Sequence, residues 1–191
     1  MIALVAILVG FAAGWLTGGR VRNLEHLEFR FGWVILALFG LQAVLRSSHA
    51  LTAWIHGSAI VAVWCACVAA LIALAIANRR TTGMMIVALG LFLNLLVVLL
   101  NCGMPLSGSA AGSLGALHDA VQSVNAGFYR LIAAETHLAL LGDVIPVPGP
   151  PGIRSIVSIG DILLLIGAAV VVAAGMRAKP VDEPIGTDGS D

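Results

Sequence analysis

Charged residues are scarce in this chain. Ten Lys and Arg and ten Asp and Glu amount to 10% of the 191 residues, whereas 60% are hydrophobic and the mean hydropathy is +1.03. A typical soluble domain carries charge on about 25% of its residues. The formal net charge is zero, so the chain also lacks the basic excess that is typical of nucleic-acid-binding proteins. The composition therefore predicts an integral membrane protein whose main partner is lipid, with no nucleic-acid partner.

Cysteine and the motifs of familiar chemistries are also sparse. The three cysteines, Cys65, Cys67 and Cys102, form neither a Cys-x-x-Cys pair nor a zinc-type spacing, so a disulfide framework is not indicated. No HExxH, GxSxG or Walker sequence occurs. Glu135 and His137 are two residues apart and would point to different faces of a helix. We therefore assign no catalytic residue and no cofactor, and we predict no metal site.

Five apolar runs dominate the chain, each near the roughly 20 residues that span a bilayer as a helix. The predicted spans are residues 1–17, 31–45, 53–77, 84–100 and 156–176. The first run has no basic residue before it, and Arg20 and Arg22 follow it, which favours a retained helix over a signal peptide. The predicted fold class is all-α integral membrane, a bundle of five transmembrane helices.

Basic residues are distributed unequally between the two sides of such a bundle. One side receives seven, namely Arg20, Arg22, Arg30, Arg79, Arg80, Arg177 and Lys179, and the other receives three, namely Arg46, Arg130 and Arg154. Because cytoplasmic loops carry the excess of Lys and Arg, we expect the N-terminus and the loop 101–155 to lie outside the cell. The C-terminus is then cytoplasmic. We expect residues 1–178 to form one membrane domain and residues 179–191 to form a disordered acidic tail.

Small and polar residues inside the apolar runs predict how the helices pack. Ala6, Gly10, Gly14 and Gly18 recur every four residues on the first helix, a pattern that lets another backbone approach closely. The same face serves packing within the monomer, which we favour, or a homodimer through Gly10 and Gly14. Gln42 and Asn94 are amides inside helices, and we expect them to bond between helices because an unpaired amide in hydrocarbon is costly.

The loop 101–155 is about 55 residues long, and loops of this length are usually functional or disordered. From Leu114 to Leu141 apolar residues keep helical spacing, which predicts one extracytoplasmic amphipathic helix with Ser113 as its N-cap. Gly142 follows as its expected end. The next residues contain four prolines, Pro146, Pro148, Pro150 and Pro151. Proline fixes φ, so residues 142–152 are expected to form a stiff, extended proline-rich strap.

An ionisable residue, Asp161, falls inside the fifth span when about 20 residues are counted back from Arg177. One interpretation is a capping box, Ser158-x-x-Asp161, at the start of the helix. The other is an outward-open polar pocket in which Arg130 or Arg154 pairs with the carboxylate, since intramembrane acids tend to mark functional sites. The sequence leaves both open.

The stiff strap must return to the membrane where the fifth helix begins. We therefore expect Asn101, Asp143 and Asp161 to approach one another at the outer mouth of the bundle. The candidate ligand-binding residues are Asn101, Asp143, Asp161, Arg130 and Arg154.

Three sequence elements carry a family resemblance: NCGMPLS at 101–107, ETHLALLGDVIPVP at 135–148 and SIGDILLLIG at 158–167. The chain resembles a family of uncharacterised bacterial multi-pass membrane proteins in which Asn-x-Gly-Met-Pro-x-Ser, Leu-Gly-Asp-x-Ile-Pro and Ser-x-Gly-Asp elements recur. The resemblance implies about five helices and no particular activity. It singles out Asn101, Gly103, Met104, Pro105, Ser107, Gly142, Asp143, Ile145, Pro146, Ser158, Gly160 and Asp161.

Two classes of function follow from these features. The first is a non-enzymatic membrane protein with an outward-facing pocket for a small molecule, a lipid head group or a protein partner. The alternative is a membrane enzyme or redox component acting on a lipidic substrate such as a quinone. A transporter is less favoured, because five helices make a narrow bundle and no inverted repeat is evident.

Overall fold

In the computed structural model, five long helices of the described part of the chain lie where the apolar runs predict them. The structure describes residues 2–47, 57–116, 118–119, 124, 127–150 and 154–178. The helices are α1 (Ile2–Leu16), α2 (Gly32–Ser47), α3 (Gly57–Ala77), α4 (Met84–Asn101), the short α5 (Gly108–Ser113) and α6 (Ile159–Arg177), with 3-10 turns at Val21–His26 and Ala139–Leu141. The predicted start of the third span, and the tail 179–191, lie outside the described residues.

Three of these helices are long and apolar enough to cross a membrane, at Ser58–Ala77, Met84–Asn101 and Ile159–Arg177. The apolar parts of α1 and α2, Leu4–Leu16 and Gly32–Gln42, are shorter. Large apolar side chains such as Leu8, Leu36 and Leu99 are exposed on the outside of the bundle. An apolar surface of this extent suits lipid and is unfavourable in water, so the apolar helices indicate a membrane protein.

The end of the bundle beyond α4 and before α6, here termed the loop end (residues 102–158), contains strands. β1 (Met104–Leu106) pairs in parallel with β2 (Tyr129–Leu131), and β3 (Ile145–Val147) pairs antiparallel with β4 (Ser155–Val157). The architecture is therefore mostly helical and not all-α. Each strand has three residues, too few for a period of two to be recognised in the sequence.

The amphipathic helix predicted across Leu114–Leu141 is wrong in its second half, where β2 and turns replace it. Most of residues 117–126 lie outside the described part of the chain. Ser113 is not an N-cap: it is the last residue of α5, and Ser107 caps that helix by accepting a bond from Ala110 N. Pairing with β1 stabilises the backbone of Tyr129–Leu131 where helical spacing alone predicted a helix.

Part of the proline-rich strap, Ile145–Val147, forms strand β3 and pairs with β4, which follows the strap in the chain, whereas residues 151 and 152 lie outside the described residues. Pro146 lies in β3, in register with Ile156 of β4. Proline has no N–H to donate and is tolerated in edge strands, and both strands of a two-stranded ribbon are edges. The strap is therefore one arm of a ribbon that leads directly into α6.

Helix α6 packs between α1 and α4 through small residues. A Cβ atom at Gly10 would lie 2.7 Å from Ala169 O, and one at Gly90 would lie 2.6 Å from Gly160 O. The small-residue face of α1 is thus used within the chain, as we favoured, while Gly18 has open space around it. A homodimer through Gly10 and Gly14 stays a prediction, and this packing does not support it.

Arginines gather at the opposite end of the bundle, here termed the basic end. Arg20 N donates to Met176 O at 2.8 Å, and Arg30 N donates to the Asn78 side chain at 2.8 Å, which ties α1, α2, α3 and α6 together there. The residues at this end are Arg20, Arg22, Arg30, Arg79, Arg80 and Arg177. They are the described members of the group of seven; Lys179 lies outside the described residues.

The close contact of α4 and α6 is testable with one added methyl group. In Gly160→Ala the new Cβ would overlap the Asn94 side-chain oxygen and lie 2.7 Å from Gly90 O. We expect a loss of about 1–3 kcal/mol in the free energy of unfolding, as for other overpacked sites. In the control Gly40→Ala nothing lies within 4 Å of the new Cβ, so a gain of about 0.5–1 kcal/mol is expected from helix propensity. Unfolding in detergent measures both, and equal effects would contradict the packing.

Candidate functional site

Three polar side chains bond to one another between α4 and α6, inside the apolar bundle. Asn94 Nδ2 donates to Asp161 Oδ1 at 2.8 Å, and Ser158 Oγ donates to Asn94 Oδ1 at 2.9 Å. Asn94 and Ser158 are both buried. Each group would cost about 1–3 kcal/mol if it were buried without a partner. Asn94, Ser158 and Asp161 are termed the polar triad below.

The capping box predicted at the start of α6 is confirmed. Ser158 Oγ accepts from Asp161 N at 2.9 Å, and Asp161 Oδ2 accepts from Ser158 N at 3.3 Å. The carboxylate therefore lies at the positive end of the helix dipole and satisfies the N–H group of Ser158, which has no partner within the helix. The cap and Asn94 together use two of the roughly four acceptor positions of a carboxylate. Asp161 retains capacity for a further donor.

Gly160 completes this arrangement by leaving room for the Asn94 side chain, which lies where a Cβ would be. The Ser-x-Gly-Asp element thus has a physical meaning: Ser158 caps, Gly160 admits the amide, and Asp161 binds it. The expectation that Asn94 bonds between helices is confirmed.

A cavity of about 230 Å³ lies beside the triad, between α2, α3, α4 and α6. Its wall consists of Phe39, Gln42, Trp64, Val68, Leu91, Asn94, Asp161 and Leu164. Two buried nitrogen atoms of wall residues, Gln42 Nε2 and Trp64 Nε1, have no hydrogen-bond partner in the part of the chain that the structure describes. Such groups are rare in folded proteins. The bonding expected of the Gln42 amide is not found at this nitrogen.

A larger groove of about 610 Å³ opens at the basic end, beside Glu25, His26 and Thr81. Its charged groups are exposed and interact with one another: Glu25 lies 3.5 Å from Arg22 and 3.6 Å from His26. Exposed pairs of this kind contribute little to binding or stability. The smaller cavity beside the triad is the better candidate, because its polar groups are sheltered from solvent.

Asn101 and Asp143 form hydrogen bonds that connect segments of the loop end. Asn101 Nδ2 donates to His137 O and Asn101 Oδ1 accepts from His137 N, both at 2.9 Å. The backbone of Asp143 pairs with β1, where it bonds to Pro105 O at 2.8 Å and to Ser107 N at 2.9 Å. The Asp143 side chain is buried. The first two family elements therefore meet at β1.

Asp161 bonds to neither Asn101 nor Asp143 among the described contacts. Asn94 and Asn101 are seven residues apart on α4, which is about 10 Å along the helix axis, so the triad lies deeper in the bundle than Asn101. The convergence of Asn101, Asp143 and Asp161 on one ligand stays a prediction.

Neither candidate arginine neutralises Asp161 in the described part of the chain. Arg154 Nη1 donates to Leu114 O at 3.1 Å, and its Nη2 lies 3.6 Å from Asp119 Oδ2. Arg130 is exposed on β2, in register with Pro105. The arginine partner predicted for Asp161 is therefore absent from these contacts, because the path of the loop directs both side chains elsewhere. Asp161 is stabilised by hydrogen bonds from Asn94 and Ser158 and by the end of the helix.

Sequence reasoning did not single out Trp64 or Phe39, whose rings form part of the cavity wall. An aromatic residue in an apolar helix is indistinguishable in sequence from any other core residue. Gln42, Asn94 and Asp161 gave the usable signals, as polar residues within apolar runs. All three line the same cavity.

Comparison with protein families matches residues 26–173 to a family of unknown function (DUF5317). The chain belongs to this family. The match confirms the resemblance and includes the whole polar triad and the cavity wall, whereas α1 precedes the DUF5317 region. Curated proteins and solved structures give no match. Among the described residues of this DUF5317 member, no three His, Cys, Asp or Glu side chains converge as a metal site would need.

The direct bond between Asn94 and Asp161 is testable by a double-mutant cycle. Asn94→Ala and Asp161→Ala should show a coupling of about 0.5–3 kcal/mol in the free energy of unfolding, as is usual for residues in contact. The matched cycle of Asn101→Ala with Asp161→Ala should be additive within about 0.5 kcal/mol, because Asn101 bonds to His137. Denaturant unfolding in detergent measures both cycles. Additivity in the first cycle would contradict the triad.

Proposed function

We propose that this protein resides in the bacterial cell membrane as a multi-pass protein of five transmembrane helices, with its N-terminus and loop end outside and its C-terminus in the cytoplasm. The cluster of arginines at the basic end supports this orientation. Trp15 and Trp33 lie near the same end with exposures of 75% and 86%, as expected of interfacial anchors. α1 has 15 residues, about 22 Å of helix, so its span requires local thinning of the bilayer.

This orientation predicts which reporter cysteines react in intact cells. In a Cys102→Ser background, a cysteine at Ser109 should react with a membrane-impermeant maleimide, because Ser109 is exposed at the loop end. A cysteine at Thr82, exposed at the basic end, should react only after lysis. The reverse pattern would invert the topology while leaving the fold unchanged.

We further propose a non-enzymatic function in which the cavity beside the polar triad binds a small molecule. One combination supports this: the apolar cavity is lined by a carboxylate with spare acceptor capacity and by Gln42 and Trp64, whose buried side-chain nitrogens have no partner among the described residues. Binding sites are typically apolar concavities with a few convergent polar groups. A lipid head group at the outer face and a protein partner there remain expectations from the sequence.

A membrane enzyme or redox component acting on a lipidic substrate such as a quinone is the second candidate. The aromatic rings of Phe39 and Trp64 favour it, since they offer flat apolar surfaces to a ring within the bundle. Chemical turnover of the bound molecule distinguishes this candidate from simple binding.

Gentle purification followed by native mass spectrometry and lipid analysis tests the binding proposal. We expect a small molecule to accompany the wild-type protein and to be reduced at least tenfold in Asp161→Asn. Asparagine keeps one side-chain acceptor for the cap, while the charge and the second acceptor, which binds Asn94, are lost. The matched control Glu28→Gln removes one carboxylate at the exposed surface of the basic end and should retain the molecule. Equal retention by both variants would rule out the cavity as the binding site.

A further inference from the structure

The size of the cavity limits what it can hold. Its volume is about 230 Å³, whereas an apolar cavity of about 150 Å³ accommodates benzene and drug-sized ligands need about 300 Å³ or more. One six-membered ring fits between these limits. The apolar wall residues Val68, Leu91 and Leu164 and the rings of Phe39 and Trp64 match the faces of such a ring.

The polar atoms of the wall specify the substituent. Asp161 accepts hydrogen bonds through both oxygens, so a ligand must present a donor to it. Trp64 Nε1 and Gln42 Nε2 are buried donors without a partner in the described part of the chain, so an acceptor on the ligand would satisfy whichever of them it reaches. A ring hydroxyl does both. A carbonyl or an ether oxygen satisfies only the N–H donors and places lone pairs against the carboxylate.

One wall of the cavity is loosely held. Among the described elements, α2 packs chiefly on α3, whereas α4 and α6 pack extensively on each other. Phe39 of α2 is 43% exposed although it lines the cavity. The side chains of α2 therefore separate the cavity from the lipid phase, which makes a ligand that dissolves in lipid the natural occupant.

We propose that the cavity binds a single-ring hydroxyl compound, either a phenol or the hydroquinone head group of a lipid-soluble quinol. The ring hydroxyl donates to Asp161 and a ring oxygen accepts from Trp64 or Gln42. No bond is made or broken in this step. The inference deepens the binding proposed above and rests on it. The quinol and the free phenol share this chemistry and differ in whether a tail extends into the lipid.

The test compares phenol with anisole, its methyl ether, which lacks the donor. The full-length protein is labelled with nitrogen-15 in lipid nanodiscs, and the indole Nε1–H resonance of Trp64 is assigned with Trp64→Phe. Phenol should shift this resonance saturably, and anisole should bind about tenfold or more weakly, because a hydrogen bond to a charged group is lost. Concentrations are expressed per mole of lipid, so that partitioning into the nanodisc is taken into account.

The variants Asp161→Asn and Glu28→Gln identify the acceptor. The preference for phenol over anisole should fall several-fold in Asp161→Asn, where the acceptor is neutral, and persist in Glu28→Gln. If Asp161→Asn fails to fold, the ratio of the wild-type affinities for phenol and anisole still tests the proposal. Equal binding of phenol and anisole, or no saturable shift with either, would overturn the proposal.

Two further outcomes are informative. One identifies the source of the ring, and the other distinguishes this inference from the proposed binding function. Hydroquinone and its prenylated form are compared at equal mole fraction in lipid: at least tenfold tighter binding of the prenylated form supports a quinol head group, and equal binding supports a free phenol. A co-purifying molecule without a ring hydroxyl would overturn this inference while leaving the binding function intact. If no molecule co-purifies and phenol gives no response, both the binding function and this inference would be contradicted.

Discussion

The contact between α4 and α6 is the constraint on which the rest of the structure depends. Gly90 and Gly160 bring the two backbones close enough for Asn94 to reach across to Ser158 and Asp161. That contact fixes where α6 begins, and the β3–β4 ribbon ends directly before it. It also forms one side of the cavity. In lipid, helices gain little from apolar burial against each other, so close packing and interhelical hydrogen bonds hold such an interface together.

The sequence predicted the long helices well because the length of an apolar run is a local property that bilayer thickness converts directly into a span. The loop end was harder for a physical reason. β1 and β2 are three residues long and lie more than twenty residues apart in the chain, so neither shows a period and their pairing depends on the whole path between them. Phe128 and Leu131 kept helical spacing by coincidence, and non-local pairing outweighed it. The family elements, in contrast, marked the positions where these segments meet.

At Asp161 the sequence offered a helix cap or a pocket residue, and the geometry shows that one carboxylate has the capacity for both. Each oxygen accepts one N–H, and the remaining lone pairs are not needed by the cap. The direction of Arg130 and Arg154 could not be predicted, because a side chain's direction follows the backbone of a loop whose path was unknown. The capping box could therefore be predicted from the sequence, whereas the contacts of the loop arginines could not.

Trp64 connects the loop end to the cavity. Its ring packs on Phe128 with centroids 5.1 Å apart, and Phe128 in turn meets Tyr129 at 5.2 Å in an edge-on contact at the start of β2. The backbone of Phe128 also accepts a bond from Met104 N. A change in the pairing of β1 and β2 would therefore move the ring that packs on Trp64. Trp64 is only 4% exposed, and its N–H has no partner in the part of the chain that the structure describes, so a wholly apolar residue would fill this place at lower cost. Packing alone therefore does not account for an indole at this position.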